Sequence, residues 1–189
     1  MKYSLVLCCL LVSACLLVTA CSPIETSSIQ EYLALAPTEP SVQTNQRIQA
    51  FTKLYNQLDS SSDPIDESIT TTYAEKFYFN DTLVTLHDRQ NLLKYLKQTQ
   101  QNIDAMNFKV LSVQDNGQDA YVRWLMKTQF KLLGQEVDSQ SIGFSHLRFN
   151  ADNKIILHQD YWDNMQGFYQ HIPIIGGVLR WIKNSASHY

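Results

Sequence analysis

Ser145, His158 and Asp160 are the residues of this sequence best suited to holding or moving a proton: a hydroxyl, an imidazole and a carboxylate that flank one short loop. The loop is Asn150-Ala151-Asp152-Asn153, a cluster of turn formers, and the apolar residues on either side of it predict a β-hairpin. If Phe149 pairs with Lys154, then Leu147 faces Ile156, Ser145 faces His158 and Gly143 faces Asp160. The two-residue period puts Ser145, Leu147, Phe149, Ile156, His158, Asp160 and Trp162 on one side of the sheet. Large apolar groups mixed with a hydroxyl, an imidazole and a carboxylate suit a pocket wall better than a sealed core. A plainer reading is also open: His158 and Asp160, two positions apart on one face, orient each other without doing chemistry. Asp81 adds a second carboxylate, placed after Asn80 where it could start a turn or face a pocket. No HxH or HExxH arrangement with a third ligand occurs, so a metal is not expected; no cofactor is expected either.

Several elements must position these groups. Ile48, Phe51, Leu54, Tyr55 and Leu58 recur at helical spacing, with Ser41, Thr44 or Asn45 available as N-cap. A short helix is predicted over Ile65 to Tyr73. A strand then begins at Phe77-Tyr78-Phe79, turns at Asn80-Asp81 and returns through Leu83 to Leu86. Asp88 caps a third helix whose buried side is marked by Leu92, Leu93, Leu96 and Ile103. Strands are predicted next over Phe108 to Gln114, Ala120 to Leu133, Val137 to Phe149 and Ile155 to Trp162. Arg123 and Trp124 divide between solvent and core, and Asp163 caps the segment after the last strand. The fold class is α+β, with N-terminal helices on one face of an antiparallel sheet.

This order of elements resembles the cone-shaped fold of nuclear transport factor 2 and its relatives, which include the SnoaL-like polyketide cyclases, ketosteroid isomerases and limonene epoxide hydrolases. Tyr73-Ala74-Glu75-Lys76-Phe77-Tyr78-Phe79-Asn80-Asp81 resembles the isomerase segment that ends in the catalytic aspartate. His146-Leu147-Arg148-Phe149-Asn150 followed by Lys154 resembles a late isomerase hairpin. The resemblance runs over roughly residues 46 to 162 and implies a curved sheet closed into a cone. It implies Asp81 as a general base beside a carbonyl. Phe51 and Ser145 fall on the two oxyanion donors, of which the first cannot donate and the second is weak; Tyr55, one turn along, is the candidate substitute. Asp160-Tyr161-Trp162-Asp163 resembles a segment of the epoxide hydrolases, but Lys127 and Gln129 fall where an arginine and a second aspartate would complete that site. The expectation is a pocket lined by Tyr55, Asp81, Ser145, His158, Asp160 and Trp162 that takes a small, largely apolar molecule. An enzyme working through Asp81, or through His158 and Asp160, is the alternative. A third reading is a homodimeric scaffold that pairs through its exposed sheet face.

The ends of the chain speak to location. Lys2, the apolar run Leu5 to Val18, and Leu17-Val18-Thr19-Ala20-Cys21 before the polar Ser22-Pro23 read as a signal peptide over residues 1–20. The closing pattern resembles the lipobox of bacterial lipoproteins, which implies a lipid on Cys21, attachment to a membrane, and a place in the bacterial cell envelope on the periplasmic face. All four cysteines, Cys8, Cys9, Cys15 and Cys21, lie in this leader, which leaves residues 45–189 without a disulfide or thiol nucleophile. Residues 21–44 read as a tether, with one helical turn available to Ile29, Tyr32, Leu33 and Leu35 before Pro37. A net charge of −3 and the absence of a basic face exclude nucleic acid as the main partner. A tail helix over about 165–184, with Pro173 in its first turn and a stripe of Ile175, Val178, Leu179 and Ile182, is expected to close the cone; the alternative is a helix lying on the membrane.

Overall fold

Apolar residues at helical spacing build the layer that lies over the site. In the computed structural model, which describes residues 27–36, 45–59, 64–172 and 174–186, Asn45 accepts the Ile48 N–H through its side chain and starts helix α2, Gln46–Asn56. Helix α1 is Ser27–Leu35. The leader, Cys21, Ser41, Thr44 and Pro173 lie outside the described residues. Ile48, Phe51 and Leu54 of α2 are fully buried, each contributing about 1.5–3 kcal/mol of transfer free energy. Leu58 comes next on a 3-10 turn, Gln57–Asp59. Helix α3, Asp66–Thr72, and helix α4, Arg89–Asn102, complete the layer; Asp88 caps α4 by accepting from Asn91 N. Asp59 and Asn56 accept the backbone N–H groups of Met106 and Phe108, which fastens this layer to the sheet edge.

The sheet has six strands, β1 Tyr73–Asn80, β2 Thr85–Asp88, β3 Ile103–Asp115, β4 Asp119–Leu132, β5 Gln135–Phe149 and β6 Ile155–Trp162, in the order β2-β1-β6-β5-β4-β3. It is not wholly antiparallel as expected, because β6 returns beside β1 and runs parallel to it. The meander from β3 to β6 makes three reversals, which bring its last strand back in the direction of β1. β1 begins four residues before the expected Phe77, since Tyr73 already pairs with Ile155. Register shifts between Lys76 and Phe79, between Val110 and Ser112 and between Arg148 and Phe149 bend the sheet around the helices. Residues of even number on β4 face inward, so Trp124 joins the core together with Phe79, Phe108, Leu147 and Ile155.

Two parts of the chain depart from expectation. Within the segment read as a tether, α1 packs on the outer face of the sheet, where Ile29 and Leu33 meet Leu111, Leu125 and Ile142. Arg123 faces outward but not into solvent: it donates to the Tyr32 hydroxyl at 3.0 Å and to the Ala36 carbonyl at 3.3 Å, holding α1 down. These contacts replace a free tether over residues 27–36. The tail forms helix α5, Asn164–Gly167, a 3-10 turn at Tyr169–His171, and helix α6, Ile175–Ala186. Asp163 caps α5 by accepting from Gln166 N. α6 does not close the cone, because only Gly176 is buried and it rests on that 3-10 turn.

Candidate functional site

Trp124 fixes the direction of a buried chain of hydrogen bonds, because an indole N–H can only donate. Its Nε1–H reaches Ser145 Oγ at 2.9 Å, so the Ser145 hydroxyl is left to donate its own proton to Asp160 Oδ1 at 2.5 Å. His158 Nε2 lies 2.7 Å from the same carboxylate oxygen, and its Nδ1 lies 2.6 Å from the Tyr73 hydroxyl. With Nε2–H donating to Asp160, bare Nδ1 accepts from Tyr73, and every bond runs toward Asp160. Burial, and then the nearby Asp160 charge, push Tyr73 well above the ordinary tyrosine range; a bond from Tyr55 works the other way. Tyr55 is pushed up as well, by burial first and then by the nearby Tyr73, Asp160 and Asp81. Both phenols therefore stay protonated and serve as donors.

Between the helical layer and the sheet lies a cavity of about 470 Å³, within the range of small-molecule sites. Trp124, Met126 and Phe130 of β4 form its floor, Trp162 of β6 and Phe79 of β1 one side, and Tyr55 and Tyr95 the roof. Two other depressions, of about 500 and 690 Å³, are lined mostly by residues of polar type, such as Lys127 and Gln140, or Arg47 and Lys154. Of these three, the cone cavity alone has an aromatic wall with a few convergent polar groups. Asp160 reaches it with Oδ2, which has no partner among the described residues because its protein donors all sit on Oδ1.

Asp81 also lines the cavity but is committed elsewhere. Its Oδ1 accepts the N–H groups of Leu83 and Val84 at 2.9 Å each, and its Oδ2 accepts the Tyr95 hydroxyl at 2.5 Å. Trp162 Nε1 donates to the Asp81 carbonyl at 2.8 Å. The turn these bonds hold includes Thr82 at φ 75°, a conformation that a β-branched residue seldom adopts. Asp81 is thus both turn former and cavity residue. Burial, and then the Asp81 charge, push the Tyr95 phenol up, so it remains a donor.

The structure gathers Tyr55, Asp81, Ser145, Asp160 and Trp162 around the cavity but seals His158 behind Asp160. Rings of Phe51, Tyr55, Tyr73 and Phe79 enclose that imidazole, with Phe79 edge-on at 4.9 Å. The hairpin pairs Ser145 with Asp160 and Leu147 with His158, two residues from the expected register, and the register shift at Arg148 and Phe149 brings Ile155 inward in place of Ile156. Lys127 and Gln129 do not face the cavity floor: they belong to the odd-numbered, outer row of β4, and Gln129 donates to Asp138 there. Tyr73, Tyr95 and Trp124 were missed as members of the polar site. Tyr95 sits three residues after Leu92 on the buried stripe of α4, and that spacing was the available signal.

The family model described as the SnoaL-like domain matches residues 48–158. No curated protein matches the chain. Among solved structures, a protein assigned as a SnoaL-like polyketide cyclase from Shewanella denitrificans superposes with a TM-score of 0.55 at 11% identity, over 65% of this chain and 94% of that one. A Catenulispora acidiphila protein with a ketosteroid isomerase-like fold, in complex with trimethylamine, gives a TM-score of 0.55 at 13% identity, over 66% and 91%. A LEH-like epoxide hydrolase of M. tuberculosis gives 0.53 at 11% identity, over 76% and 95%.

Proposed function

Since the chain belongs to the SnoaL-like domain family and folds as a cone with room for a ligand, we propose that it is a membrane-anchored binding protein whose cavity holds a small, largely apolar molecule carrying one hydrogen-bond donor. The observation that carries this reading is Asp160: one carboxylate oxygen anchored by Ser145 and His158, the other open in an aromatic cavity. A ligand hydroxyl or amine would meet Oδ2 in a charge-assisted bond, and the surrounding rings would take up its apolar surface. A cation on the ligand would suit the same carboxylate.

Binding fits this geometry better than turnover. Three donors on Asp81 leave it little capacity to take a proton from a substrate. Phe51 is buried beside Tyr55 and Phe108, and the Ser145 proton is directed at Asp160, so neither can stabilise an enolate oxygen. The inward residues of β4 near Asp160 are Val122, Trp124 and Met126, which supply neither the cation nor the second acid of an epoxide-opening site.

N-phenylnaphthylamine, apolar with a single N–H, is a suitable probe. Trp162→Ala should weaken its binding by about 2–4 kcal/mol by removing part of the wall, whereas Asp81→Asn should change it little. Equal affinity of the wild type and the Trp162 variant would sink the reading. A homodimer is the second reading, favoured by the exposed rings of Tyr121, Phe144 and Tyr161 on the outer sheet face.

A further inference from the structure

Helix α6 sits on the protein with its polar side down. Gly176 faces the 3-10 turn so closely that a Cβ there would collide with the Gln170 carbonyl, and Arg180, one turn later, donates Nη1 to that same carbonyl at 3.1 Å. At 3.6 residues per turn, Ile175, Val178, Trp181 and Ile182 fall on the opposite arc. They are 47%, 51%, 69% and 50% exposed, and Ile174 just before them is 86% exposed. A surface helix ordinarily turns such an arc toward the core.

Three observations indicate what covers it. From Asn164 to Tyr189 there is no Asp or Glu, while Arg180 and Lys183 add positive charge to a chain whose net charge is −3, so the tail suits an anionic surface. Trp181 brings a ring that favours the boundary between water and hydrocarbon. Ile29 of α1 lines one surface depression together with Gln166, Gln170 and His171, which places α1 and the turn beneath α6 on the same side of the molecule. Cys21 precedes Ser27 by six residues, a span of at most about 22 Å. A lipid on Cys21 therefore brings this side to the membrane. A second copy is a poorer occupant, because four apolar side chains on a helix of 12 residues, with Ile174 just before it, cannot supply the roughly 800 Å² per partner of a stable interface.

We infer that α6 is an interfacial helix that lays Ile175, Val178, Trp181 and Ile182 into the headgroup and acyl boundary of an anionic phospholipid bilayer, giving the anchored domain a fixed orientation. This rests on the anchoring half of the reading above and not on the contents of the cavity.

The test uses the full acylated chain in phosphatidylglycerol and phosphatidylethanolamine vesicles with plain or brominated acyl chains. The difference between wild type and Trp181→Phe isolates the emission of Trp181 from that of the other two tryptophans. The expected result is a blue-shifted Trp181 emission that brominated chains quench, more strongly as phosphatidylglycerol rises. Replacing Val178 and Ile182 by Ser, both at exposed positions, should abolish the quenching and leave the folded core intact. Trp181 emission that is unchanged by vesicles to which the chain is attached overturns the inference, as does quenching that survives the double replacement or a dimer joined through α6. Flotation with the vesicles reads the anchor separately; a chain that neither floats nor is quenched overturns both readings.

Discussion

Asp160 can be changed in two ways that look alike in size but differ in acceptor count, and the buried chain of hydrogen bonds predicts different outcomes. Asp160→Ala leaves the His158 Nε2–H and the Ser145 hydroxyl without their acceptor, in surroundings where His158 is 0% and Ser145 1% exposed. Two orphaned buried donors cost about 1–3 kcal/mol each, so the loss should be about 2–6 kcal/mol. Asp160→Asn keeps an amide oxygen at the Oδ1 position. Both bonds survive but become neutral, costing about 1 kcal/mol apiece, and removal of a buried charge offsets part of this loss. Its stability should stay within about 2 kcal/mol of wild type. The Asn amide nitrogen would then replace Oδ2 at the cavity and confront the N–H of N-phenylnaphthylamine with another donor. Affinity should fall at least about tenfold, which corresponds to one lost bond of about 1.4 kcal/mol. Urea denaturation and probe titration of the three proteins supply the measurements. If the Asn and Ala variants lose equal stability, acceptor count does not govern this network and the assigned bond directions are wrong.

Two further outcomes concern other parts of the chain. On the outer face, hydrogen bonds from Arg148 first and His146 second hold Asp119 down to about 2, below its ordinary 3.8. A depressed folded-state value means that this contribution is present above about 3.8 and is lost as pH falls toward about 2. Asp119→Asn should flatten the acid limb of stability against pH in that window; superimposable profiles would remove Asp119 as its source. Cys21→Ala should yield a chain without lipid and with its leader uncleaved, read by mass spectrometry of the membrane fraction. Normal acylated product from that variant would refute anchoring through Cys21.

The faces of the hairpin were legible in the sequence even though its register was not. An even slip in pairing preserves which residues share a side, so Ser145, Leu147, His158, Asp160 and Trp162 point inward under both the expected and the observed register. Ile156 was misplaced because a bulge is a one-residue event that changes the parity beyond it. The helical layer was equally plain, since Ile48, Phe51 and Leu54 repeat at one face and Asn45 and Asp88 are strong caps. The depth of each polar residue could not be read. His158 is sealed by rings from α2 and β1, around 80 to 107 residues away in the chain, and no local pattern announces such neighbours. The tail misled for a related reason: a stripe at helical spacing shows that a helix has an apolar side but not which way that side turns. Gly176 decided it, because a residue without a Cβ allowed the polar side to approach the Gln170 carbonyl.

The two carboxylates of the cavity show why residue identity alone could not assign their roles. Asp81 and Asp160 are the same side chain at the end of a β-strand or just beyond it, and both line the same space. Donors engage both oxygens of Asp81, two from its own turn and one from Tyr95, so that carboxylate works as a structural joint. Donors converge on one oxygen of Asp160 and leave the other open. A carboxylate oriented on one side and open on the other is preorganised for an incoming donor, because its position is fixed before the ligand arrives. In the proposed binding reading, placing both acceptor bonds on Oδ1 is what makes Asp160 the recognition group, and Trp124, by dictating the orientation of Ser145, sits at the start of that arrangement.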